Sequence, residues 1–482
     1  MEDEIVELWH KLDDKFFQPE SFINVSFLSP KQTNSIERFV KNCIIFIAVF
    51  LYSCFSYVYM KIYDYMLTYY LKETFSQQSS AGLKVLTNST KKFFEVNFWG
   101  YNDKMIDFID SVSKEIKVFN ENLDLLQFET IKTQQKNRYF NNSMESDNLS
   151  NDFLKEILKD DFYLDLEILK TFNSITFENL QKYIPKFFRM MKIKILIQGN
   201  ITKAQALNVA EILKTNFMCE GLDTEYELKG RCYELPLGTN VCRIKSLMLS
   251  DDNSHIQNFY QIGRKTIRNL NLLKLLESIC EPKTFDYLRN REQLGYSVGC
   301  TFQDIEGILG LKVYVFSQEH KHLFTEVFQK MEIFMNDIAR KAVHEITDEE
   351  FENFKQARIK LLLADPRSLE TELRQNWNEI KENEYIFNRF ELSAKVLKTL
   401  TKSDLQEFFD GFTKPENMRR LSVQVIGNPK VEGSSEENDL NRELKVEFMT
   451  EKLTEQEKHV GEDITKFQEN LILHPIVRFK IE

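Results

Sequence analysis

TFENLQKYIPKFF at 176–188, leading into KIKILIQGN at 192–200, decides the fold, because the same plan returns as TKSDLQEFF at 401–409 and LSVQVIGN at 421–428. In each copy a threonine stands where an N-cap is wanted, an amphipathic run follows at helical spacing, and an alternating stretch ends in Gly-Asn. The separation of Thr176 from Thr401 is nearly that of Gly199 from Gly427. The offset holds further out: the strand 94–99 with its helix 104–116 matches 311–316 with 323–338, and 23–27 matches 256–262. A unit that recurs in one order is a duplicated domain. The expected fold class is therefore α+β, two homologous domains in tandem, each a mixed sheet packed with long helices. The domains are 1–226 and 227–482, with the boundary near Glu220 and a polar, Glu-heavy connection at 429–463 that offers a core few anchors.

Composition narrows the function. Of 482 residues, 42% are hydrophobic and 28% charged, which excludes a disulfide miniature, a disordered chain and a polytopic membrane protein. With 74 acidic against 63 basic side chains the net charge is −11, a field that repels phosphate backbones, so nucleic acid is excluded as a partner while cationic peptides suit. Seven cysteines without a CxxC pair suggest neither a disulfide framework nor a zinc knuckle. A reducing, cytoplasmic setting is expected, since the acidic start Glu2, Asp3, Glu4 lacks the pattern of a secretory signal. The uncharged run at 43–60 is the exception. It reads first as an apolar insertion lengthening a buried helix, and secondly, through 42–60, as a membrane anchor.

Most catalytic signatures are missing. Neither HExxH nor HxxEH occurs; His344-Glu345 is followed by Asp348 where a second ligand should stand, and Thr347 with Glu350 reads as a capping box. No metal site is expected in the chain, and the stretch Glu319-His320-Lys321-His322 reads as a solvated loop. No GxSxG, Walker loop or GxGxxG is present, and Glu281 beside Cys280 disfavours a thiolate nucleophile. The segment 285–298 differs. There Arg289 and Tyr296 stand where helix gives way to strand, Gly295 supplies the turn, and Leu288 and Leu294 anchor the base. A guanidinium and a phenol presented together suit peptide carbonyls. Read by themselves, these residues favour a surface arginine and a half-buried tyrosine.

LRNREQLGY at 288–296 also resembles the signature in the fourth domain of the M16 metallopeptidases, the inverzincin family. The resemblance spans most of the chain, through ELWHKLDDKFFQP at 7–19, GYNDK at 100–104, QGNIT at 198–202 and Glu281-Pro282. It is nearer to the nardilysin branch than to that of insulin-degrading enzyme, through ELPLG at 234–238, NWNE at 376–379 and KSDL at 402–405. It implies M16-type (LuxS/metallopeptidase-like) domains, the third and fourth of four that close on a peptide chamber. It further implies that Arg289 and Tyr296 bind substrate at a zinc centre held by an N-terminal half. This chain would then have no catalytic residue and no cofactor of its own. Its partners would be peptides, basic or dibasic, and an N-terminal half supplied in trans. The alternative is a stand-alone pseudo-peptidase that binds peptides or regulates. Two departures stand out: the insertion at 43–60, and an additional residue around Lys283 and Thr284.

Overall fold

Two mixed sheets are built from the alternating stretches. In this computed structural model residues 2–29, 45–222, 230–428, 444–452 and 454–479 are described, with side chains omitted for 45–53. The first sheet contains β1 (Val6–Leu12), β2 (Glu20–Leu28), β3 (Lys84–Ser89), β4 (Phe94–Tyr101) and β5 (Lys192–Gly199), in the order β1-β5-β2-β4-β3. Two short strands, β6 (Tyr233–Glu234) and β13 (Ile472–Leu473), pair separately. The second sheet contains β7 (Gly238–Lys245), β8 (Asn253–Arg264), β9 (Ser297–Ile305), β10 (Ile308–Gln318), β11 (Arg419–Ile426) and β12 (Glu457–His459), in the order β12-β7-β11-β8-β10-β9.

With β12 set aside the two topologies are the same. β1 runs parallel to β5 as β7 does to β11, and every other pairing is antiparallel. The stretches matched in the sequence are β2 with β8, β4 with β10 and β5 with β11. The caps are as read: the Thr176 hydroxyl accepts from the Asn179 amide, and Thr401 with Asp404 forms a capping box. The paired glycines have a shared cause. A Cβ on Gly199 would lie 2.5 Å from the Glu20 carbonyl oxygen, and one on Gly427 would lie 2.6 Å from that of Asp252. Each β5-type strand ends beneath the start of its antiparallel neighbour, and only a residue without a side chain fits.

The compact units are discontinuous in sequence. Unit 1 is Met1–Arg138, Glu167–Leu228 and Asp365–Phe387; unit 2 is Tyr139–Leu166, Lys229–Ala364 and Asn388–Glu482. Within unit 1, the helix Leu369–Lys381 covers one sheet face, where Leu373, Trp377 and Ile380 bury Leu196 with Trp9 and Phe22. Within unit 2, the helix Ser146–Leu158 plays the same part, and Gln257 Nε2 of β8 donates to Ser150 Oγ over 2.7 Å. The opposite face of the unit 2 sheet carries Ile256, Leu311, Val313 and Val315 into a core with Leu272, Leu276 and their neighbours.

The apolar run forms a buried helix, its first reading, whereas the connection at 429–463 differs from its reading. The helix Ile45–Thr74 contains most of the apolar run; Cys54, Val58, Met60, Tyr63, Met66 and Leu71 are buried in the core of unit 1, while Tyr69 is exposed. Residues 43 and 44 lie outside the described part, and among the described residues no helix is long and apolar enough to cross a membrane. The connection at 429–463 lies outside the described residues as far as 443, but beyond that it does anchor. Phe448 packs edge-on against Phe153, β12 pairs with β7, and Leu444, Glu457 and Val460 are buried.

Candidate functional site

The helix Ile267–Thr284 continues as a wider π-helix, Phe285–Arg291, which carries Arg289. A π turn takes up more residues than an α turn. The end is closed by Gln293 at φ 53°, with the Leu294 amide donating to the Leu288 carbonyl over 3.0 Å. This corrects the role given to Gly295: the left-handed residue of the turn is Gln293. Gly295 is required by space, since a Cβ there would lie 1.9 Å from the Phe316 carbonyl oxygen. Leu288 and Leu294 are buried anchors, as read, and Lys330 Nζ holds Glu292 at 2.6 Å.

Arg289 and Tyr296 come together. The guanidinium lies 4.1 Å from the centre of the Tyr296 ring and 4.4 Å from that of Phe285. Tyr296 is 83% exposed, so its hydroxyl is presented to solvent while its face supports the arginine. Arg291, two residues on, is instead taken by Asp286 at 2.7 Å. The two rings lie within cation–π distance of the guanidinium, whose N–H groups suit carbonyl or carboxylate oxygens. Phe285 was missed in the sequence. Its signal was the four-residue spacing to Arg289, which puts both on one helix face.

β9 starts at Ser297, directly after Tyr296, and Ser297 contributes to a groove of about 690 Å³. The groove lies on the sheet face opposite the apolar core, where Lys312, Tyr314 and Phe316 alternate along β10 and His255 stands beside Phe316 in register. His255 is 3% exposed, and burial with Lys312 nearby pushes its pKa down to about 3, so the imidazole is neutral. Its ring stacks on Tyr314 at 6.0 Å, and Nδ1 has no hydrogen-bond partner among the described residues. Sequence reading passed over this histidine because it interrupts an ordinary buried strand.

The histidines do not converge on a metal. His344 Nε2 lies 3.1 Å from Asp410, which Arg340 also holds at 2.7 Å. The stretch Glu319-His320-Lys321-His322 is not a solvated loop throughout: Glu319 is buried, accepting from Ser254 Oγ and from the Phe324 amide, and His320 bonds Asp252. Among the described residues no three His, Cys, Asp or Glu side chains are grouped to hold a metal ion, so their donor set does not fit zinc. Burial pushes the thiols of Cys219 and Cys242 up to about 11 and about 12, values that suit structural cysteines.

Known proteins share this plan. Residues 1–171 match the family model of the middle or third domain of peptidase M16, and residues 275–377 match the model of PQQ synthase PqqF-like, C-terminal lobe domain 4. Nardilysin of Pongo abelii is 28% identical over 451 residues, which cover 92% of this chain and 37% of nardilysin. The chain thus spans well under half of that relative's length. The crystal structure of pitrilysin superposes with a TM-score of 0.78 at 16% identity, covering 99% of this chain and 46% of pitrilysin. The peptidase M16 inactive domain from Pseudomonas fluorescens superposes with a TM-score of 0.62 at 11% identity, covering 88% of this chain and 96% of the other.

Proposed function

Because the chain belongs to the M16 peptidase family and corresponds to the C-terminal half of its longer members, we propose that it is a non-catalytic, peptide-binding half. It completes a zinc-bearing N-terminal half, and Arg289 and Tyr296 hold the substrate backbone. One observation carries this reading: the Arg289 fork lies 4.1 Å over the Tyr296 ring, beside a groove. Stacking pre-orders the donors, so less entropy is lost when a peptide carbonyl arrives. The acidic balance of 74 to 63 suits basic or dibasic peptides, and buried free thiols suit the reducing cytoplasm.

The test is reconstitution. The purified chain is mixed with the zinc-bearing N-terminal half of a nardilysin-type relative, and cleavage of a dibasic peptide is followed. Activity should require both halves, fall at least tenfold with Arg289→Ala, and fall less with Tyr296→Phe. Chelator-sensitive cleavage by this chain alone would overturn the proposal.

A second reading is a stand-alone peptide-binding or regulatory pseudo-peptidase. It is supported by the solved peptidase M16 inactive domain, which is matched over 96% of its own length. Tight peptide binding without any rescue of cleavage would select this reading.

A further inference from the structure

We propose that the groove on the polar face of the unit 2 sheet is a carboxylate-binding subsite for a peptide, in which Lys312 pairs with the acid, His255 supplies a hydrogen bond, and Tyr314 and Phe316 form the floor. The inference rests on the peptide-binding reading and adds a chemical preference to it.

Lys312 lacks a counter-ion in contact. Its ammonium donates to Asn151 Oδ1 at 3.3 Å and lies 5.2 Å from the centre of the Tyr314 ring, and no carboxylate among the described residues lies within ion-pair distance. Burial is the main reason that its pKa is lowered, and Lys155 nearby adds to it, while the Asp147 carboxylate works in the opposite direction. A half-buried ammonium without an ion-pair partner is an arrangement that an incoming anion relieves. His255 makes a second, independent demand. It lines the groove, is 3% exposed, and has an unpartnered Nδ1, and buried ring nitrogens are normally bonded.

The floor is flat for a stated reason. A Cβ on Gly299 would lie 2.6 Å from the Tyr314 ring, so the glycine lets the tyrosine lie across β9. The resulting aromatic surface suits the side chain next to the acid. At about 690 Å³ the groove is of ordinary ligand-site size.

The rim also carries Glu145, Asp147 and Asp251, which oppose an acid; each accepts at least one hydrogen bond from a neighbouring group, and none is in ion-pair contact with Lys312. Asn148 Nδ2 donates to Glu145 at 2.6 Å, the Asn148 amide to Asp147 at 2.8 Å, and Ser146 Oγ and the Asn253 amide to Asp251 at 3.1 and 3.0 Å. Lys312 is the cation among the groove's lining residues.

Fluorescence anisotropy on the full chain tests this with three labelled pentapeptides of one sequence. One has a free C-terminal carboxylate, one is its C-terminal amide, and one is the amide with an internal Gln replaced by Glu. The free acid or the Glu peptide should bind about tenfold tighter than the plain amide, and which of them does so identifies the source of the carboxylate. Lys312→Met should abolish the difference and Lys312→Arg should keep it. Equal binding of all three peptides, or a preference that survives Lys312→Met, would overturn the subsite. Arg289→Ala separates the two proposals: weakened binding of all peptides with the acid preference intact supports both. If weakened binding accompanies no acid preference, only the subsite falls. If no peptide binds at all, both fall.

Discussion

Arg243 and Glu457 are an ion pair with no side-chain surface left to solvent, their nearest Nη and Oε atoms 3.8 Å apart. Arg243 Nε donates to Gln424 Oε1 at 2.7 Å, and its guanidinium lies 5.0 Å from the centre of the Phe324 ring. Burial lowers the Arg243 pKa, and the carboxylate of Glu457 opposes that shift. Since Glu457 opens β12, the pair fastens the last strand of the unit 2 sheet to β7.

Removing one member should therefore cost more than a surface bridge. Glu457→Ala leaves a buried guanidinium uncompensated and is expected to destabilise unit 2 by about 3–5 kcal/mol. The double substitution Arg243→Met with Glu457→Leu should recover most of that loss. Urea denaturation followed by tryptophan fluorescence and circular dichroism measures both; a loss below about 1 kcal/mol for Glu457→Ala would contradict the buried-pair account.

His255 sets a pH dependence. Its folded pKa is depressed to about 3 from an ordinary 6.5, so between those values the unfolded chain binds a proton that the folded chain does not. Its contribution to stability is complete above about pH 6.5 and declines as pH falls, by about 1.4 kcal/mol per unit until the folded pKa is reached. His255→Phe should flatten the stability–pH profile by that slope between pH 6 and 4. Parallel profiles for the two proteins would refute it.

Two glycines should respond in opposite directions. Gly295→Ala places a methyl 1.9 Å from the Phe316 carbonyl oxygen and should cost about 2–3 kcal/mol while displacing Tyr296. Gly411 lies inside the helix Lys402–Thr413 with nothing within 4 Å of where a methyl would sit, so Gly411→Ala should stabilise by about 0.5–1 kcal/mol. Thermal melts of the two variants decide the matter.

Trp377 should behave as a core residue of unit 1. It is 5% exposed, and its indole N–H donates to Glu95 at 3.1 Å. Trp377→Ala is expected to cost about 3–5 kcal/mol, read as an early loss of the unit 1 transition in proteolysis or denaturation. An unchanged midpoint would show that the helix Leu369–Lys381 is not integral to that core.

What the sequence disclosed was local and periodic. The caps at Thr176 and Thr401 and the alternation of β5 and β11 are written in neighbouring residues, and their recurrence revealed the duplicated topology. Arg289 and Tyr296 were legible through a helix-to-strand transition with buried leucines on either side. What stayed hidden depends on partners far along the chain. Glu457 reads as one more acid in a polar stretch until Arg243 is placed beside it, and His255 reads as a strand residue until β10 supplies Tyr314. The assignment of Leu369–Lys381 to unit 1 has no local signal, since an amphipathic helix does not say which sheet it will cover.

That helix also constrains the order of biosynthesis. Trp9, Phe22 and Leu196 are made early but are covered by side chains as late as Ile380. A nascent chain stalled before that point would carry an uncovered apolar face, so completion of unit 1 follows translation of the second repeat's own strands β7 to β10.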